Sequence, residues 1–342
     1  MRALFLTAPS ELRLEDVPVP VPPADEILLR VRACGICGSD VHGLDGSTKR
    51  RIPPLIMGHE AAGEVAGPGH PDWPAGTPVT FDSTAFCGGC WHCRRGEVNL
   101  CDRREVVGVS CADYRRHGAF AEYVSVPVRT LYRLPAGLDY ERAALVEPVA
   151  VALHAVNRAG LVASDTTAVV VGTGLIGLLV VQALRIRGCR RIVAVDLDAG
   201  RLALAARFGA TTAVDARTDD AAARVRDLTA GRGADSAFEV VGATGTINTA
   251  IACTRKGGEV VLVGNLASQV SLPLQLVVTR ELRLIGTCAC AGEYPASLEL
   301  IASGQMKVDE LISARPPLVE GPEWCRRLQA GEAGLMKVVL CP

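Results

Sequence analysis

The sequence predicts an α/β chain of two domains, a strand-rich first part followed by a parallel sheet flanked by helices. Three observations carry this expectation. The 342 residues are about twice the ~150 of an ordinary domain. Residues 1 to about 135 are rich in Pro and Gly, with short apolar runs such as Ile27-Leu28-Leu29-Arg30-Val31 between them, a texture of strands and loops. From about Ala143, long Ala/Leu/Val helical patterns alternate with compact apolar runs at 168–171, 191–195, 236–241 and 259–263. Strands alternating with helices imply a parallel sheet.

Taken in order, Met1–Pro9 reads as a first strand, because its apolar run is too short for a signal segment and acidic Glu11, Glu15 and Asp16 follow it. The charge-free stretch from Thr166 to Leu184 approaches membrane-span length, but Gly172, Thr173, Gly174 and Gly177 interrupt it, so it reads as strand, turn and helix. Past Leu284 the pattern is mixed, with a helix expected over Tyr294–Ser303 and a closing strand over Lys337–Leu340.

Composition removes several classes of function. With 36 basic and 37 acidic side chains the formal charge is -1, which supplies no field for phosphate backbones or anionic lipid. Aromatics at 4% leave few rings on which single-stranded nucleic acid could stack. The 49% hydrophobic and 21% charged balance can bury a core. Small molecules are the expected partners, not nucleic acid or a membrane. Thirteen cysteines in a long chain without a secretory signal point to metal ligands or free thiols, and to a reducing cytoplasm as the expected compartment.

Two motifs carry chemistry on their own. The run Val169-Val170-Val171-Gly172-Thr173-Gly174-Leu175-Ile176-Gly177 is a strand entering Gly-x-Gly-x-x-Gly and then a helix, where backbone can approach a pyrophosphate at the helix N-terminus. Asp196 closes the next apolar run, placed to accept from adenosine ribose hydroxyls and to repel a 2'-phosphate, so NAD is preferred to NADP; Arg190, Arg191 and Arg201 nearby leave that choice open. The second motif, Cys87-Gly-Gly-Cys90-Trp-His-Cys93 followed by Cys101, gathers four thiols suited to tetrahedral zinc. A closed four-cysteine site keeps no open position and is therefore structural. A zinc-ribbon nucleic-acid module shares such spacing, but the near-neutral charge speaks against it.

A third set is scattered: Cys37-Gly38-Ser39-Asp40-Val41-His42, Gly58-His59-Glu60 and Glu147-Pro148. A thiolate, an imidazole and a carboxylate can hold a catalytic zinc with a position left for water or substrate, provided the fold brings them together. Spacing alone does not show that they meet.

With these motifs, and with Gly58-His59-Glu60-Ala-Ala-Gly63 and Gly118-Ala-Phe-Ala-Glu122-Tyr123, the chain resembles the zinc-dependent medium-chain dehydrogenases/reductases over nearly its whole length, most of all the polyol dehydrogenase branch. The resemblance implies a GroES-like β-barrel catalytic domain over 1–145 and 286–342, a Rossmann NAD-binding domain over 146–285, and catalysis in the cleft between them. It implies two zinc ions per chain, one catalytic and one structural, with Cys37, His59 and Glu60 as catalytic ligands and Glu147 beside them as an exchanging ligand or a carboxylate behind bound water. Ser39 and His42 match the family's proton relay from the alcohol toward bulk water. Arg201 matches a basic partner of the adenosine ribose, and Val263 a backbone contact to the carboxamide. The implied reaction is hydride transfer between a secondary alcohol and NAD, zinc lowering the pKa of the bound hydroxyl toward about 7. The branch is usually tetrameric or dimeric.

Departures bear on the substrate. Sorbitol dehydrogenases usually carry an aromatic residue directly after the relay histidine and an Arg-Tyr pair after the strand that here reads Leu282–Ile285; this chain has Gly43 and Ala289-Cys290. That predicts a roomier pocket with fewer hydrogen bonds, for a cyclitol or a less polar diol. Sugar-alcohol phosphates and aminocyclitols are the alternatives. Threonine fits less well, since Thr84-Ala85-Phe86 precedes the cysteine lobe and Glu147 stands where an Asp is usual. The non-enzyme alternative is a nucleotide-binding sensor of the same fold. Three further residues are expected to be inert: Cys34 and His154 as packed core, His92 as solvent-facing. Thr77 in place of the usual Asp of a Gly-Asp-x-Val turn bears on stability only.

Overall fold

A computed structural model describes residues 1–67, 70–160 and 163–342. The chain forms two compact units: Met1–Glu147 with Ala291–Gly304 and Val308–Pro342, and Pro148–Cys290 with Gln305–Lys307. The short Gln305–Lys307 segment falls in the second unit, where the Gln182 amide both donates to and accepts from the backbone of Lys307.

The first unit is built on a sheet ordered Leu131–Arg133, Pro78–Phe81, Glu60–Val65, Glu26–Gly35, Lys337–Leu340 and Ile312–Ala314, with Tyr123–Pro127 also paired to Glu26–Gly35. In Glu26–Gly35 the side chains of Ile27, Leu29 and Val31 are buried while Arg30 is exposed, the two-residue period of a strand with one face on a core. Leu4, Leu6, Phe81, Phe120 and Val338 fill that core. The closing strand lies where the sequence predicts, with Leu340 opposite Cys34 and Val339 opposite Gly35. On the other side of Glu26–Gly35, Glu60 pairs with Gly35. Residues at opposite ends of the sequence therefore share one end of one sheet.

The second unit holds six parallel strands in the order Thr212–Asp215, Arg191–Asp196, Thr167–Val171, Ala234–Glu239, Thr254–Leu262 and Arg283–Gly286. Numbered along the chain this is the doubly wound order, reversing between Thr167–Val171 and Ala234–Glu239, where such sheets open a crevice for ligands at the strands' C-terminal ends. The fourth strand stops at Glu239, short of the expected 241. The buried Glu239 carboxylate takes the N–H groups of Val241 and Gly242 at 3.0 and 2.8 Å, which turns the chain out of the sheet. The long charge-free stretch is the strand Thr167–Val171 and the helix Leu175–Ile186, whose residues 178–184 are buried. Among the described residues no helix is long and apolar enough to cross a membrane.

Candidate active site

A six-residue helix, Gly38–Gly43, places the first group. Cys37 caps it: the Cys37 sulfur accepts the Ser39 N–H at 3.5 Å, and Asp40 reaches back to accept the Cys37 N–H at 3.2 Å. This reciprocal cap uses N–H groups that a helix start leaves unpaired. It also fixes the sulfur at the helix entrance. His59 and Glu60 arrive on the start of Glu60–Val65, and the ligand atoms of Cys37, His59 and Glu60 lie within 4.8 Å of one another.

The charges around this cluster are buried. Asp40 is fully enclosed, with the Arg51 guanidinium at 2.7 Å and His59 Nδ1 at 3.5 Å. Burial alone would raise the Asp40 carboxyl, but His59 and Arg51 outweigh it and hold the group well below the usual carboxylate range. Burial pulls the His59 ring down, while Asp40 and Cys37 together push it well above its ordinary value. His59 Nδ1 faces Asp40 Oδ1 at 3.5 Å, which leaves Nε2 as the nitrogen for a ligand. Glu60 Oε2 forms a 2.6 Å ion pair with the buried Lys337 ammonium, which also donates to the Ile36 carbonyl at 2.9 Å. Glu147, in the first turn of the helix Val146–Arg158, is raised to about 7 by burial, opposed by His59 and reinforced by Glu60. A half-buried thiol with a buried imidazole and a buried carboxylate is the donor chemistry of a divalent transition metal.

Ser39 and His42 are exposed on the same short helix. Ser39 Oγ lies 3.3 Å from the Cys37 sulfur. His42 is close enough to Asp45 to lower its carboxyl, behind the larger effect of Ser47. Gly43 is closed on one side by Arg51. A Cβ at Gly43 would stand 2.5 Å from Arg51 Cγ.

The four cysteines of the lobe also converge, with all sulfurs within 4.8 Å. Backbone N–H groups point at them: Cys87 and Arg103 at the Cys101 sulfur, Cys93 at the Cys90 sulfur, at 3.2 to 3.4 Å. Such donors stabilise thiolates, and the four sulfurs fit a tetrahedral ion. His92 bonds Glu97 at 2.9 Å and stays out of the cluster.

In the second unit Gly172 has φ 92°, a left-handed turn suited to glycine. A Cβ at Gly177 would run into the Gly172 carbonyl, so the helix sits directly on the turn. Leu175 and Ile176 open that helix, half-buried, with Gly174 as its cap. Asp196 is already held by the chain: Oδ2 accepts the N–H and hydroxyl of Thr173 at 2.6 and 2.9 Å, and Oδ1 accepts the N–H groups of Leu197 and Asp198. A ribose hydroxyl would join these donors or replace one. Arg201 is exposed on Ala199–Arg207, and Val263 follows Thr254–Leu262 with its N–H on the Glu239 carbonyl.

Cys34 and His154 are buried as expected, and Cys288 is exposed while Cys290 is not. Thr77 caps its own turn through a 2.6 Å bond to the Pro74 carbonyl. Sequence reasoning assigned no role to Asp40, Arg51, Lys337 or Thr173. Lys337 opens the apolar strand Lys337–Leu340, and nothing local names the carboxylate it meets.

The zinc-binding dehydrogenase profile matches residues 176–303, and the alcohol dehydrogenase GroES-like domain profile matches residues 23–136. The chain is 33% identical to the sorbitol dehydrogenase of Bacillus subtilis (strain 168), over 100% of this chain and 97% of that one. It is 32% identical to the D-arabitol-phosphate dehydrogenase of Enterococcus avium, over 97% and 95% respectively. The solved structure of a zinc-binding dehydrogenase candidate from Sinorhizobium meliloti 1021, bound to NADP, superposes with a TM-score of 0.90 at 32% identity, covering 100% of this chain and 99% of that one.

Proposed function

The chain belongs to the zinc-binding dehydrogenases that carry a GroES-like alcohol dehydrogenase domain and a Rossmann-type sheet, and from that premise we propose that it interconverts a secondary alcohol and its ketone, with NAD as the hydride acceptor. The observation that carries this reading is the convergence of Cys37, His59 and Glu60, three donors that leave a coordination position for substrate. Bound there, zinc would supply Lewis acidity, and NAD in the second unit would take the hydride.

The chain's own residues do the rest. Asp40 holds the orientation of His59 from behind, as carboxylates do for metal-binding imidazoles. Lys337 neutralises Glu60 and keeps its second oxygen free. Glu147, raised to about 7, is a carboxyl able to exchange with Glu60 or to hold water. Ser39 takes the alcohol proton, and His42, exposed at the next turn of the helix, passes it to solvent. The N-terminus of Leu175–Ile186 receives the pyrophosphate. Asp196 favours NAD, its charge opposing a 2'-phosphate.

The substrate class is a polyol, vicinal diol or cyclitol. The arabitol-phosphate relative supports a phosphorylated polyol as the second reading. An assembly of two or four subunits working in the cytoplasm completes the proposal. The test is NADH absorbance from zinc-loaded protein given NAD or NADP and a panel of free polyols, diols, inositols, aminocyclitols, polyol phosphates and threonine, with and without chelator. Chelator-sensitive turnover of a secondary alcohol, faster with NAD, is expected. Failure of every alcohol while NAD binds and zinc is retained would favour a nucleotide sensor.

A further inference from the structure

Beside the Cys37–His59–Glu60 cluster lies a cation with no part in the chemistry so far. Arg51 is 3% exposed, and a guanidinium taken out of water is costly unless its N–H groups are well used. Nε and Nη2 donate to Asp40 Oδ1 at 3.1 and 2.7 Å, Nη1 to the Arg50 carbonyl at 2.8 Å, and Nη2 also to Ser39 Oγ at 3.2 Å. Two of these acceptors flank the cluster. Asp40 Oδ1 faces His59 Nδ1 at 3.5 Å while its Oδ2 accepts the Cys37 N–H, and Ser39 Oγ touches the Cys37 sulfur. The backbone of Arg51 is tied down by a bridge to Ser110. Gly43 leaves the side chain its room, since a Cβ there would stand 2.5 Å from Arg51 Cγ and 3.2 Å from its Cβ.

We propose that Arg51 is a positioning residue whose single planar fork fixes both the Ser39 hydroxyl and the Asp40 carboxylate behind His59, with Gly43 as the gap that admits it. The proposal rests on Cys37, His59 and Glu60 being metal ligands. A serine hydroxyl has one hydrogen and two lone pairs. Arg51 fills one lone pair and the hydroxyl's own hydrogen is directed at the Cys37 sulfur, so the second lone pair is the one acceptor direction left for the alcohol proton. By loading Asp40 Oδ1, Arg51 also shares the carboxylate that would otherwise act on the His59 ring alone, and that interaction tunes an imidazole as a ligand. Lysine does not substitute, because a point charge lacks the fork that reaches Asp40 and Ser39 together.

The test loads the full chain with cadmium and reads its metal NMR. The wild type is expected to give two resonances, one from the four-thiolate lobe and one from the single-thiolate site. Arg51→Met, Arg51→Lys and Gly43→Ala, which crowds Arg51 from the opposite side, should each move the single-thiolate resonance and leave the other in place. With zinc and the preferred alcohol, kcat should fall about 10- to 100-fold while KM changes less than about threefold, the pattern of misplaced groups rather than lost binding. An Arg51→Met protein with both resonances and kcat as in the wild type overturns the proposal, as does an Arg51→Lys protein equal to the wild type. Should Arg51→Met not fold, the other two variants decide by the same criteria. If the wild type binds two metals yet oxidises no alcohol, the proposed function fails while the resonance test still judges Arg51.

Discussion

Lys337 and Glu60 form an ion pair 2.6 Å long with 2% and 1% of their side chains exposed. Burial lowers the ammonium's affinity for its proton, but Glu60 and then Cys37 raise it further, so Lys337 stays charged. Replacing one partner of such a pair strands the other, at about 3–5 kcal/mol. Lys337→Met should therefore lower the urea midpoint of the metal-free first unit clearly, and by less in the zinc-loaded protein, where the ion compensates Glu60. A midpoint within error of the wild type in both states would contradict the assignment. This pair was not legible in the sequence, which places Lys337 only in a closing strand. Which residue of a distant strand lies beside Glu60 is set by sheet register, with Val339 opposite Gly35 and Gly35 opposite Glu60. Thr173 escaped for a different reason: as an unspecified position of the glycine motif it carries no signal, yet it bonds Asp196 twice.

At the scale of elements, motifs are legible in the sequence where their chemistry is local. The strand, glycine turn and helix over 167–186 follow from apolar runs and from the close approach of Gly177 to Gly172. The cysteine lobe was legible because its donors fall within 15 residues. Strand ends were less so, as Glu239 shows by turning its own strand out of the sheet. Among the described residues the strand Arg283–Gly286 is paired on one side only, and Leu266, Leu274 and Val278, earlier along the chain, are 57%, 65% and 65% exposed. An open edge beside apolar side chains invites pairing with a second copy. Sedimentation velocity should give a dimer or tetramer, shifted toward monomer by Leu274→Glu with Val278→Glu. A wild-type monomer at micromolar concentration, or an unshifted variant, would refute that proposal.

At the scale of the whole chain, the near-neutral charge and low aromatic content already pointed toward small molecules. The candidate metal site was not derivable from spacing: Cys37, His59, Glu60 and Lys337 are drawn from three separate stretches, and only strand order brings them to one end of a sheet. The ligand set is legible through the family resemblance, whereas Asp40 and Arg51 behind it are brought there by the fold. The central claim is that this cluster holds the metal on which alcohol oxidation depends. The most direct measurement is metal content per chain and NADH formation for the wild type and Cys37→Ser, each stripped with chelator and titrated with zinc. The wild type should take up two ions and regain turnover, while Cys37→Ser should keep the ion of the cysteine lobe and form no NADH. Zinc-independent turnover, or full activity in Cys37→Ser, would contradict it.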